Sequence, residues 1–72
     1  MFTLENFGKH LFKVRTEKGI TQQQIADLLE VSKSRISEIE HGKNGTTLAN
    51  LVKIADFLDV STDYLLGRTD KR

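Results

Sequence analysis

The chain has 72 residues, with no cysteine and no proline, 29% charged and 38% hydrophobic residues, and a formal net charge of +1 at pH 7. Disulfides and cysteine-based metal sites are thereby excluded, and a core of this size, which must hold on packing alone, supplies only about 3–5 kcal/mol net. No stretch approaches the ~18 consecutive apolar residues of a membrane span, and Glu5 and Asn6 interrupt the apolar N-terminal residues, so neither a span nor a secretory signal is expected and the chain reads as a soluble cytoplasmic protein.

Leu4, Phe7, Leu11 and Val14 recur at helical spacing and predict a first helix from about Leu4 to Glu17, ended by Gly19. Thr21 opens a second helix as its cap, with Gln24 placed to complete a capping box and Ile25, Ala26, Leu28 and Leu29 forming the apolar side. Ala26 falls where the next helix must cross closely. After Glu30 and Val31, Ser32 caps a third helix that runs to about His41, buries Ile36 and Ile39 and stops at Gly42. Two short capped helices separated by a break of three or four residues, over about 21–42, are the sequence form of a helix-turn-helix. Thr47 then caps a fourth helix with an apolar stripe of Leu48, Leu51, Val52, Ile54, Ala55 and Leu58. Val60, a cap at Ser61 or Thr62, and Tyr64, Leu65 and Leu66 before Gly67 predict a short fifth. With no internal repeat, low-complexity tract or linker expected, the chain reads as one all-α domain over residues 1–72.

Advancing ~100° per residue from a buried Ile36 turns Ser34, Ser37, Glu38 and His41 outward, with Lys33 and Arg35 on the flanks. This surface is short, rich in hydrogen-bonding groups and nearly free of apolar ones. It suits the major groove of B-DNA, ~12 Å wide, where these side chains find base-edge partners. The net charge adds little, because Lys33, Arg35 and Lys43 are opposed by Glu38 and Glu40. A second basic cluster, Lys9, Lys13, Arg15 and Lys18, and the basic residues Arg68, Lys71 and Arg72 either line a nucleic-acid backbone or serve solubility.

With Gln22, Ala26, Val31, Ile36, Ile39, Glu40, Gly42 and Lys43 at its characteristic spacing, the chain resembles the lambda-type phage repressor and Cro family, the XRE-type helix-turn-helix proteins. The similarity runs from about Phe7 to Leu66 and implies a compact five-helix, lambda-repressor-like fold. Two positions depart from the family pattern. Glu30 stands where glycine is usual in the turn, so that turn is expected to be strained or reshaped, at a cost of roughly 1 kcal/mol. Asn44-Gly45-Thr46 replaces the proline frequent before the fourth helix, leaving a flexible loop whose backbone N–H groups are open to a phosphate.

The resemblance implies a transcriptional repressor that binds double-stranded DNA as a homodimer on an inverted-repeat operator. It places Lys33, Ser34, Ser37 and Glu38 at base edges and Arg35 at a base or a phosphate. Lys33 and Arg35 favour guanine. Glu38 either accepts from cytosine or serves to reject unsuitable sites and to orient its basic neighbours. Phosphate contacts fall to Gln22 at the start of its helix and to His41, Lys43, Asn44 and the Gly45 backbone, His41 having the alternative of a solvent-exposed residue favoured by the helix dipole. Arg15 turns inward and pairs with Glu40. Phe57, Tyr64 and Leu66 serve either the core or a symmetric dimer surface, and Phe2 and Phe12 share that ambiguity.

No cofactor, metal or small-molecule ligand is expected, and no catalytic residues. His10 and His41 have no metal-spaced companions, and Ser34 and Ser37 sit on a helix surface without a glycine elbow. The competing function is a protein-binding helical module, such as an antitoxin or adaptor, which an exposed apolar patch would favour.

Overall fold

Each of the five helices begins on a hydroxyl side chain that accepts a backbone N–H from the first turn. In the computed structural model, which describes residues 1–72, Thr3, Thr21, Ser32, Thr47 and Ser61 cap α1 (Leu4–Glu17), α2 (Gln22–Leu29), α3 (Lys33–Glu40), α4 (Leu48–Leu58) and α5 (Thr62–Leu65). Thr21 and Gln24 form a reciprocal capping box, Gln24 N–H donating to Thr21 Oγ1 at 3.1 Å and Thr21 N–H to Gln24 Oε1 at 2.8 Å. Such caps satisfy donors that a helix start leaves unpaired. None of the helices is long and apolar enough to cross a membrane.

The helices enclose one core, centred on Phe7, Leu11 and Val14 of α1, Ile25, Ala26 and Leu29 of α2, Ile36 and Ile39 of α3, and Ile54, Ala55 and Leu58 of α4. The α4 stripe is narrower than its sequence suggests. Leu48 is 82% and Val52 49% exposed, because no neighbouring helix covers that side of α4. Tyr64 is buried against the half-buried His10 ring, with centroids 5.1 Å apart, and so belongs to the core. Gly8 brings α1 against the end of α3: a Cβ there would stand 2.4 Å from the Ile39 carbonyl oxygen and 2.7 Å from that of Glu40.

Contrary to the expectation of no internal repeat, Ile25-Ala-Asp-Leu-Leu-Glu-Val-Ser32 returns as Ile54-Ala-Asp-Phe-Leu-Asp-Val-Ser61. The two segments fold alike. Glu30 and Asp59 both take the left-handed conformation at φ 57°, Val31 and Val60 N–H donate to the Ala26 and Ala55 carbonyls at 3.0 Å, and Ser32 and Ser61 cap the helix that follows. This is a Schellman-type stop followed at once by a new start. What differs is the second helix of each pair: α3 has eight residues, whereas α5 has four and buries Tyr64 and Leu65. Only the first unit presents a long polar helix.

The turn at Glu30 thus keeps a regular geometry and carries the strain expected of a side chain in that region. Relief of the αL penalty is partly offset by the extra freedom glycine gives the unfolded chain. Glu30→Gly is therefore expected to stabilise the fold by about 0.5–1 kcal/mol, measured as the midpoint shift in urea at unchanged slope. A loss of stability would show that the Glu30 side chain contributes more than its backbone costs.

Candidate nucleic-acid interface

Ile36 and Ile39 fix α3 to the body of the protein with 0% and 1% exposure, which commits the other side of the helix to solvent. Lys33, Ser34, Arg35 and Glu38 are exposed there, and Ser37 is half-buried. Ser32 leaves the helix start well formed, its Oγ accepting from Arg35 N–H at 3.1 Å. The polar face therefore stands on a rod held at both ends and anchored along its buried side.

Glu40, the last residue of α3, does not add to the charge of that face. Arg15 Nε donates to Glu40 Oε2 at 2.7 Å and Arg15 Nη2 to Glu40 Oε1 at 3.0 Å, a bidentate pair with side-chain exposures of 9% and 4%. Arg15 Nη1 also donates to the Ile20 carbonyl at 2.8 Å, and Phe12 covers the guanidinium 5.3 Å from its ring centroid. With Glu40 neutralised inside, Glu38 is the one exposed acidic residue of α3 beside Lys33, Arg35 and Lys43.

The start of α2 lies beside this rod. Gln22 Nε2 donates to Glu40 Oε1 at 2.9 Å, so the carboxylate that anchors Arg15 also orients the Gln22 amide. A second amide hydrogen remains on Gln22. The first backbone N–H groups of α2 precede any intrahelical acceptor and point out of its positive end. A hollow of about 610 Å³ opens there, lined by Gln22, Gln23, Arg15, Thr21 and Lys33 among others, so Lys33 of α3 shares one concavity with the α2 start. That arrangement is suited to an anion.

Beyond α3 the chain turns at Gly42, with φ +76°, and folds back over the helix. Gly42 N–H donates to Ile39 O at 3.0 Å and Lys43 N–H to Glu38 O at 2.9 Å. A Cβ on Gly42 would lie 2.9 Å from Glu5 Cγ and 3.0 Å from Glu5 Cα, so both the turn and the packing on α1 call for glycine. His41 Nδ1 lies 2.7 Å from the Ser37 carbonyl; because a carbonyl only accepts, this nitrogen carries the proton. His41 Nε2 can then donate to a phosphate only when the ring is doubly protonated. Lys43 is exposed and Gly45 half-buried. Asn44 Nδ2 donates to Glu38 Oε1 at 3.0 Å, so its amide faces α3.

The structure therefore brings Lys33, Ser34, Arg35, Ser37, Glu38, Gln22, His41, Lys43, Asn44 and Gly45 to α3 and its two borders. It does not unite Phe57, Tyr64 and Leu66. Tyr64 is in the core, and half-buried Leu66 lines a hollow of about 410 Å³ with Phe2, Leu4, Phe7, Leu48 and Leu51. Phe57 is 45% exposed but, at ~100° per residue, sits on the opposite side of α4 from Leu48. Sequence reasoning missed the Gln22–Glu40 and Asn44–Glu38 bonds. Both join residues whose proximity depends on how segments pack or turn back, for which spacing along one helix gives no signal.

The helix-turn-helix family model HTH_3 matches residues 11–65. The SPbeta prophage-derived uncharacterized HTH-type transcriptional regulator YonR of Bacillus subtilis (strain 168) is 43% identical over 63 residues, covering 88% of this chain and 58% of the relative. The chain spans about half the length of the curated relatives it matches. Among solved structures, the restriction-modification controller protein C.AhdI from Aeromonas hydrophila superposes with a TM-score of 0.76 at 34% identity, over 86% of this chain and 94% of that one. The P22 c2 repressor protein, in complex with synthetic operator 9T, gives 0.79 at 27% identity, over 88% and 96%. With its five helices in the same arrangement and the α2–α3 unit inside the matched span, the chain belongs to the helix-turn-helix family of transcriptional regulators, as an XRE-type, lambda-repressor-like DNA-binding domain.

Proposed function

We propose that this domain is the sequence-reading part of a transcriptional repressor, which binds an inverted-repeat operator as a homodimer and inserts α3 into the major groove. The observation that carries the proposal is the division of α3 into a buried edge, Ile36 and Ile39, and an exposed face of Lys33, Ser34, Arg35 and Glu38. Those residues, with Ser37, meet base edges. The start of α2 at Gln22, together with Lys43, the Gly45 backbone and His41, holds the flanking phosphates. Phosphate contacts fix register and base contacts supply discrimination.

Repression and operator binding are supported by likeness to the P22 c2 repressor, which was crystallised on a synthetic operator. Two copies pair through apolar surface left open by the core. Phe2, Leu4 and Leu48, at 46%, 36% and 82% exposure, rim the hollow that Leu66 lines and offer that surface. The same hollow is the observation that favours the competing role of a protein-binding module.

Selection of bound duplexes from random DNA at stated salt tests the proposal. The wild-type chain should enrich two inverted half-sites with centres ~34–36 Å apart. Lys33→Ala combined with Ser34→Ala should weaken binding to the selected site by roughly 30-fold or more, with the melting temperature unchanged, since each good base contact contributes about 1–3 kcal/mol of discrimination. An unenriched wild-type pool, or a double variant that binds as tightly as wild type, would overturn it.

A further inference from the structure

We infer that Asn44 is a specificity-determining residue and not a phosphate ligand: its amide holds the Glu38 carboxylate in position to accept from the exocyclic amino group of a cytosine in the major groove. The inference rests on the DNA-binding role proposed above and assigns one base-reading position within it. Three observations carry it. The Asn44 Nδ2–H is already committed to Glu38 Oε1 at 3.0 Å. The loop is built to keep it there: Gly42 takes a left-handed turn, and Lys43 N–H donates to the Glu38 carbonyl at 2.9 Å, so main chain and side chain of consecutive loop residues both grip residue 38. The far side of the loop is fixed as well, since Gly45 lies so close to α1 that a Cβ would stand 3.2 Å from Leu4 Cδ2.

The third observation is electrostatic. Gln22 likewise donates to a carboxylate, but that carboxylate, Glu40, is neutralised by Arg15, so a phosphate brought to the second Gln22 hydrogen meets no net negative charge behind it. Glu38 takes part in none of the ion pairs of the structure. A phosphate on the second Asn44 hydrogen would face a carboxylate that no cation pairs with and be repelled by it. Cytosine N4 presents a donor, which that carboxylate welcomes. An exposed glutamate samples many rotamers; with Oε1 held by Asn44, Oε2 is left without a partner, and less rotamer freedom is lost when the base arrives.

The test uses the wild-type chain, Glu38→Ala, Asn44→Ala and Asn44→Asp in parallel selections from random DNA, with affinities for the selected duplex measured over a range of salt. Glu38→Ala should abolish a cytosine preference at one position of each half-site. Asn44→Ala should reduce preference at that same position by roughly 3- to 10-fold, the net value of one typical solvent-accessible hydrogen bond, and leave the other positions and the salt slope unchanged. Asn44→Asp, which sets a second carboxylate against the first, should reduce it further. All three variants should melt with wild type. Uniform weakening across sequences by Asn44→Ala, with a salt slope shallower by about one, would restore the phosphate role and overturn the inference. So would a Glu38→Ala selection identical to wild type, since Asn44 would then have no base reader to hold. A wild-type pool without any enriched sequence would instead overturn the DNA-binding proposal itself.

Discussion

Arg15→Ala should lower the melting temperature by at least ~12 °C, while Lys13→Ala, two residues away on the same helix, should shift it by less than ~3 °C. Arg15 has 9% and Glu40 4% side-chain exposure, and each oxygen of Glu40 accepts from the guanidinium. Removing the arginine strands a buried carboxylate with only Gln22 Nε2 as a partner, frees the Ile20 carbonyl and leaves the space under Phe12 empty. Breaking a buried pair in this way costs about 3–5 kcal/mol, and each kcal/mol moves the melting point of a 60–100-residue domain by roughly 4–8 °C. Lys13 is exposed. Glu40→Ala should approach the Arg15 loss, and the double variant should cost less than the sum of the two, because no charge is then left buried alone. Equal, small shifts for Arg15→Ala and Lys13→Ala in thermal melts would show that the pair contributes little.

Gly8→Ala is the second large effect, and its sign is the informative part. Within a solvent-facing helix, replacing glycine by alanine stabilises by about 1 kcal/mol. At Gly8 the added methyl would meet the Ile39 and Glu40 backbone carbonyl oxygens at 2.4 and 2.7 Å, atoms that cannot move without displacing the end of α3. Overpacking costs typically about 1–3 kcal/mol, and more against rigid backbone. A net destabilisation of roughly 2 kcal/mol is therefore expected in urea unfolding, together with weaker DNA binding, since α3 would be pushed from its place beside the α2 start. Stabilisation by Gly8→Ala would mean that α1 and α3 do not approach so closely.

The five helices were legible because their ends are local. A hydroxyl cap, an apolar period and a glycine or left-handed stop are each read within a few residues, and the sequence places α2 to α4 on their observed caps at Thr21, Ser32 and Thr47, leaves Ser61 and Thr62 as alternatives for α5 and gives no cap for α1, where Thr3 serves. The polar face of α3 was legible for the same reason. Contacts between segments were not. That Leu48 and Val52 remain open depends on which neighbours cover α4, and Tyr64 is buried because α5 turns back onto α1; neither fact follows from periodicity. The Arg15–Glu40 pair is readable only through family resemblance, whereas Gln22–Glu40 and Asn44–Glu38 depend on how α2 and the loop after α3 are brought against α3. The repeated Ile-Ala-Asp segment escaped notice because eight residues with two conservative differences carry little signal until both copies are seen to make the same left-handed stop.

The proposed entry of α3 into the major groove is tested most directly by amide NMR of the chain titrated with duplex DNA. The largest shifts and line-broadening should fall on Gln22–Gln24, Lys33–Glu38 and Lys43–Gly45, with α5 from Thr62 to Leu65 unchanged. Perturbations centred on α5 or on the outer side of α4, with residues 33–38 unmoved, would contradict it.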